Sequence, residues 1–331
     1  MRNFLEQTLR SYFPLIAGVL LFIILWGGCL AGFWWKPLTE TTLSFFGTIV
    51  TVSPLTQSIV SPLLYVISAY LLFRTIGEFQ LFSTRTHFPT GLFFALVAGA
   101  SFLLPLRAGS ICLPIMMIAA YMLMTTYQQH DSISEYVIAF ALVSLASILF
   151  PKWLLLVPFF LIGGGLLQSL TPRTFMAALI GLIIPYWISA GMLFLCDDIS
   201  SFVVPFQQLI QFDAIKYQSL TLNEITAGAL LLLIAVPGIV LFPSTLFAIK
   251  EKARVCYQFL LLVFVAVFIL ALLQPTLFAD LFPLLMTIAT LFVTNMLLSG
   301  KSRLGGVYLL MLIIFYLVYI SQPLWEPLKP F

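Results

Sequence analysis

Residues 258–273 read QFLLLVFVAVFILALL, and this stretch decides the fold. Every side chain from Phe259 to Leu273 is apolar, with no polar residue at either a two-residue or a three-to-four-residue period. A strand of a membrane barrel alternates apolar and polar positions. A surface helix of a soluble domain carries a polar face. Neither pattern fits. A helix in lipid does fit, because it pairs all its backbone N–H and C=O groups internally, as a bilayer requires. Leu15–Trp26 repeats the reading, and so does the whole chain. Of its 331 residues 62% are hydrophobic and 8% charged, and its mean hydropathy is +1.12. Soluble domains carry about 25% charged residues, so this chain has too few to make a polar shell. Its apolar surface is also far too large for a disordered chain. The fold class expected is all-α, a polytopic transmembrane helical bundle forming a single integral membrane domain over 1–331.

About 20 apolar residues cross the hydrocarbon layer as a helix. On that measure eleven spans are expected, near 13–35, 58–73, 89–106, 110–127, 134–150, 153–170, 174–196, 225–248, 255–273, 278–298 and 304–321. The first is expected to be retained, since it ends in Trp34 and Trp35 with Lys36 just beyond, and no small-residue cleavage site follows. With the N-terminus cytoplasmic and the C-terminus periplasmic, ten of the fifteen Lys and Arg residues fall on the inner side. That bias follows the positive-inside tendency.

Three helical hairpins share one local pattern. An apolar run ends at Pro105, Pro151 or Pro275, and a second proline follows at Pro114, Pro158 or Pro283. Proline stops one helix and is tolerated in the first turn of the next. All three turns are expected on the outer face. Two longer outer segments, 36–57 and 197–224, mix Thr, Ser and charge with Phe, Ile, Leu and Val, and are expected to lie at the membrane interface. The inner stretch Arg74–Phe88 is expected to hold a short interfacial helix.

Candidate chemistry is sparse. No phosphate-loop, nucleophile-elbow or zinc-protease motif occurs. Gly163-Gly164-Gly165 reads as close helix packing. Asp197-Asp198, at the outer end of a span, is the candidate catalytic pair; it also has the chemistry to hold a divalent cation. Arg107 and Lys152 in the proline turns, with Asp280 near the third turn, are candidate substrate-binding residues, because Arg in particular suits phosphate. Pro185, Pro237, Gly238 and Pro243 are candidate helix kinks. The four cysteines contain no C-x-x-C pair and only two histidines exist, so no metal site of Cys and His is expected. Cys29, Cys112 and Cys196 are expected as buried thiols, with a disulfide as the alternative. The net charge of +3 and the lack of a basic cluster argue against nucleic acid.

Pro62–Phe73, Thr84-Arg85-Thr86-His87-Phe88-Pro89, Pro172-Arg173-Thr174 with Gly181 and Pro185-Tyr186, and Lys250–Arg254 before a long apolar helix form a pattern over nearly the whole chain. In these residues the chain resembles an uncharacterised family of inner-membrane proteins from the Bacteroidetes, the domain-of-unknown-function family 6427. The resemblance implies a multi-span protein of the inner membrane of a Gram-negative envelope. It implies no activity and no site residues.

Three functional readings follow, all with the lipid bilayer as a partner. One is a multi-pass membrane subunit or scaffold of a larger membrane protein complex. Another is an envelope glycan or lipid assembly factor, polymerase- or transferase-like, acting on a lipid-linked substrate at the outer face. The third is a transporter or flippase for a lipid-like substrate. Whether the chain is an enzyme is left open.

Overall fold

The computed structural model describes residues 11–30, 40–45, 48–84, 86–197, 199–212, 217, 220–245, 249–299 and 304–325. Among these residues the chain forms twelve α-helices and one two-stranded hairpin. The helices are α1 (Phe13–Leu30), α2 (Pro54–Glu78), α3 (Phe88–Gly99), α4 (Ala108–Thr125), α5 (Ile133–Leu149) and α6 (Val157–Leu166). They continue as α7 (Pro172–Leu195), α8 (Val204–Ile210), α9 (Leu222–Thr245), α10 (Glu251–Leu273), α11 (Phe278–Ser299) and α12 (Leu304–Trp325). Each expected span holds one of these helices. Six segments are long and apolar enough to cross a bilayer: α2, α4, α7, α9, α10, and Pro275–Leu298, which contains most of α11. The chain is a helical membrane protein.

α11 is the hub. Almost all of it is buried, and it packs against α3, α4, α9 and α10. A buried helix in lipid still carries hydroxyls if they bond its own carbonyls. Thr287, Thr290 and Thr294 do so, donating to the carbonyls of Pro283, Thr287 and Thr290 at 2.6–2.8 Å. The outermost helices show the opposite pattern, with Ile180, Ile183, Trp187 and Ile188 of α7 all exposed as a lipid-facing surface requires.

Contacts fix the directions. Val137 and Ser144 of α5 meet Gly181 and Leu182 of α7, and Ser147 meets Tyr186, so α5 and α7 run parallel. The intervening segment must therefore carry the chain back from one end to the other. It does so as a 3-10 helix over Pro151–Leu156 followed by α6, a combined rise of about 27 Å from the rises of the two helix types. The glycines behave as close-packing residues. A Cβ on Gly163 would sit 2.3 Å from the Phe259 ring, and one on Gly164 would sit 2.2 Å from the Tyr136 hydroxyl.

The structure adds detail to some expectations and corrects others. Segment 36–57 contains a hairpin in which β1 (Thr41–Phe45) pairs antiparallel with β2 (Thr48–Val52), the one strand pair among the described residues of an otherwise all-α fold. Its Thr, Val, Ile and Phe residues suit a pleated ribbon. Segment 197–224 carries a 3-10 turn (Ile199–Val203) and the seven-residue α8 before α9 begins at Leu222. Arg74–Phe88 holds no separate helix among its described residues; α2 extends to Glu78 and then turns through Gln80 at φ 46°. Pro114 does not open its helix but lies inside α4, and Pro283 lies inside α11.

The marked kinks break nothing: α7 runs through Pro185, and α9 runs through Pro237 and Pro243. Gly238 is a packing residue, since a Cβ there would lie 2.8 Å from the backbone of Phe292 and Val293. Cys112 and Cys256 are buried free thiols, whereas Cys196 is free and exposed, not buried as expected.

Candidate functional site

The three proline turns meet. Pro105 and Pro151, together with Gln274 and Leu277 on either side of Pro275, line one cavity of about 640 Å³. The β-hairpin and the end of α8 close its sides, contributing Thr41, Thr42, Leu43 and Gln208, and Gln211 just past the end of α8. The hairpin is held there by a small apolar cluster of Leu43, Val52 and Leu106.

Arg107, Lys152 and Asp280, picked out separately in the sequence, all line this cavity. Each also braces the chain. Asp280, in the first turn of α11, accepts a hydrogen bond from the backbone N–H of Gly109 at 3.0 Å. It thereby caps α4 from a neighbouring helix, satisfying one of the four unpaired N–H groups that every helix N-terminus leaves. The approach is close enough that a Cβ on Gly109 would lie 2.2 Å from the Asp280 carbonyl oxygen. Lys152 works at the other polarity. Only 7% exposed, its Nζ donates to the carbonyls of Leu209 at 3.2 Å and Gln211 at 2.5 Å. Those are the unpaired carbonyls at the end of α8, where a cation also suits the helix dipole. The ammonium lies 4.2 Å from the Phe212 ring centre as well. Arg107 Nε donates to the Phe102 carbonyl at 3.1 Å, which holds the guanidinium against the cavity wall.

The lining thus balances Arg107 and Lys152 against Glu40 and Asp280 and adds three amides, Gln208, Gln211 and Gln274. Gln274 is 2% exposed, and its Oε1 is buried without a hydrogen-bond partner. A buried unpaired amide oxygen is costly, and a ligand hydroxyl would relieve it. Mixed charges with several amides suit a sugar bearing a phosphate: carboxylates and amides bond hydroxyls, and the cations bond the anion. A volume of this size is in the ordinary range for ligand sites.

The other candidates stand apart. Asp197 is exposed, adopts a left-handed φ of 57° at the end of α7, and does not line the cavity. Asp198 lies outside the described residues. Among the described residues no group of three or more His, Cys, Asp or Glu side chains could hold a metal. The glutamines and the hairpin threonines were not singled out in the sequence, where they look like ordinary polar flanks. No protein-family model and no curated protein matches this chain.

Proposed function

We propose that the protein is an eleven-span inner-membrane factor of envelope glycan or lipid assembly that binds the head of a lipid-linked, phosphate-bearing sugar at its outer face. The observation that carries the reading is the convergence of Arg107, Lys152 and Asp280 from three separate proline turns on one cavity. The eleven crossings rest on the parallel pairing of α5 with α7, which makes the short 151–166 segment a return pass. The N-inside orientation rests on the distribution of Lys and Arg, and it puts the cavity at the periplasmic interface. Placement in a Gram-negative inner membrane draws on the resemblance to family 6427. The chain ranks as a binding or assembly factor; no residue is assigned a chemical step.

The test is a deletion strain complemented with wild type or with Arg107→Ala, its surface glycans and lipids profiled by gel and mass spectrometry. The reading expects an altered profile that wild type rescues and an equally inserted Arg107→Ala does not. Full rescue by Arg107→Ala would sink it in favour of the subunit or scaffold reading, which makes the cavity charges dispensable.

A further inference from the structure

A second cavity, of about 650 Å³, lies at the opposite end of α2 from the first. Phe73, Ile76 and Gly77 of that helix line it, whereas the first cavity sits beyond the end of α2 that begins at Pro54. At about 1.5 Å per residue, the length of α2 separates them by roughly the thickness of a bilayer. The second cavity is polar at its head. Ser83, Thr84, Gln80, His87 and Lys250 line it, and among the described residues no carboxylate does. His87 is clamped between Tyr12 and Phe73, with ring centres at 4.4 and 5.4 Å. In that clamp its Nδ1 is buried without a partner, and so is the Thr84 hydroxyl. Lys250 directs Nζ to the Gln80 amide oxygen, which occupies one of its three donors. His87 and Lys250 are also the N-cap residues of α3 and α10.

The same His87 and Phe73 line an adjoining apolar groove of about 260 Å³ between α1, α2 and α3. Leu15, Val66, Tyr70 and Phe94 form its walls, and Val66 and Tyr70 are exposed on the outer surface of the bundle. A polar, cationic head cavity and an apolar side groove thus lie side by side and share two wall residues, Phe73 and His87. A soluble anion has no use for the groove, and an apolar ligand has no use for the head.

We infer that this is a binding site for an anionic glycerophospholipid of the surrounding bilayer. Its phosphate sits against Lys250, His87 and Thr84, and one acyl chain lies in the groove beside Val66. Basic pockets between membrane helices at an interface bind such headgroups. The site shares no residue with the outer cavity and stands independently of the role proposed there.

The test uses the full chain, purified in detergent and stripped of lipid. Phosphatidylglycerol, phosphatidylcholine of the same acyl chains and inorganic phosphate are added separately. Retained lipid is read by native mass spectrometry and stability by the melting temperature. Phosphatidylglycerol should be retained and raise the melting temperature; phosphatidylcholine and inorganic phosphate should do neither. Lys250→Glu should weaken retention about tenfold or more, the scale of one charge-assisted hydrogen bond. Val66→Trp should block the groove and weaken retention with the head cavity untouched; it decides the matter should Lys250→Glu not insert. Equal effects of the two lipids, an effect of phosphate alone, or parental retention by Val66→Trp would each overturn the inference.

Discussion

The Tyr308 hydroxyl of α12 donates to the Leu233 carbonyl of α9 at 2.7 Å. That carbonyl is the group Pro237 leaves without an intrahelical partner, because proline at position i removes the N–H that would bond residue i−4. The proline is therefore a docking point for α12. Tyr316 makes a second bond, to the Ala95 carbonyl of α3, and Tyr319 packs against Gly99. Tyr308→Phe should leave a partly buried acceptor unpaired and lower stability by about 1 kcal/mol. Pro237→Ala restores an N–H to that acceptor, so Tyr308→Phe should cost far less in that background. A double-mutant cycle of unfolding in detergent reads the coupling; equal costs of Tyr308→Phe in both backgrounds would contradict the assignment.

Asp280 caps α4 across the helix interface through Gly109. Asp280→Ala should lower stability by about 1 kcal/mol, the usual cost of losing an N-cap. Asp280→Asn keeps an oxygen acceptor and should recover most of it. Gly109→Ala should be worse than either, because its methyl would meet backbone rather than a movable side chain. Melting temperatures of the three variants check the order, which a purely substrate-binding Asp280 would not produce.

The helices were legible because their apolar runs have only one use in a bilayer, and the proline turns because proline acts on its own backbone. What the turns do together was less legible. Arg107, Lys152 and Asp280 stood out as charges in tight links, and their convergence depends on the packing of α4, α5 and α11. Gln208, Gln211 and Gln274 carried no signal at all, since a glutamine beside a span reads as a polar flank until its surroundings are known. The β-hairpin was missed for a related reason: its Phe, Ile and Val content also fits an interfacial segment. Pro237 announced a freed carbonyl, but nothing in the sequence marked Tyr308 as the group that satisfies it.

Gly164 sets the spacing between α6 and Tyr136 of α5, whose hydroxyl also hydrogen-bonds the Ser169 hydroxyl at 2.9 Å. Ser169 in turn bonds the Thr126 hydroxyl at 2.8 Å. Gly164→Ala should displace the Tyr136 hydroxyl and destabilise by about 1–3 kcal/mol, as overpacking does. With Tyr136→Phe already present the obstructing oxygen is gone, so the added cost of Gly164→Ala should shrink. Thermal unfolding of the two singles and the double measures it.

The parallel course of α5 and α7 places the start of α5 and the end of α7 at opposite ends of the bundle. Asp131 and Cys196, both exposed, mark those ends. In an otherwise cysteine-free chain in intact cells, a membrane-impermeant thiol reagent should label Cys196 and leave Asp131→Cys unlabelled until the membrane is opened. The reverse pattern would invert the proposed orientation. Labelling of both from outside would show that residues 133–195 do not cross as an odd number of passes.

Lys152 allows bracing and substrate binding to be told apart. Its ammonium holds the carbonyls of Leu209 and Gln211, so Lys152→Met should loosen the end of α8 whether or not a ligand binds nearby. Faster amide exchange over 204–212, with little change in α10 or α11, is the expected mark of bracing. Lys152→Arg keeps a cation and donors and should restore most of that protection. Its larger planar head would reach further into the cavity, so substrate binding should still fall. If Lys152→Arg recovers protection and binding together, the residue acts on the ligand only by holding the wall. If it recovers protection alone, binding depends on the side chain at this position and not only on the wall it holds, as the proposed phosphate-bearing substrate requires.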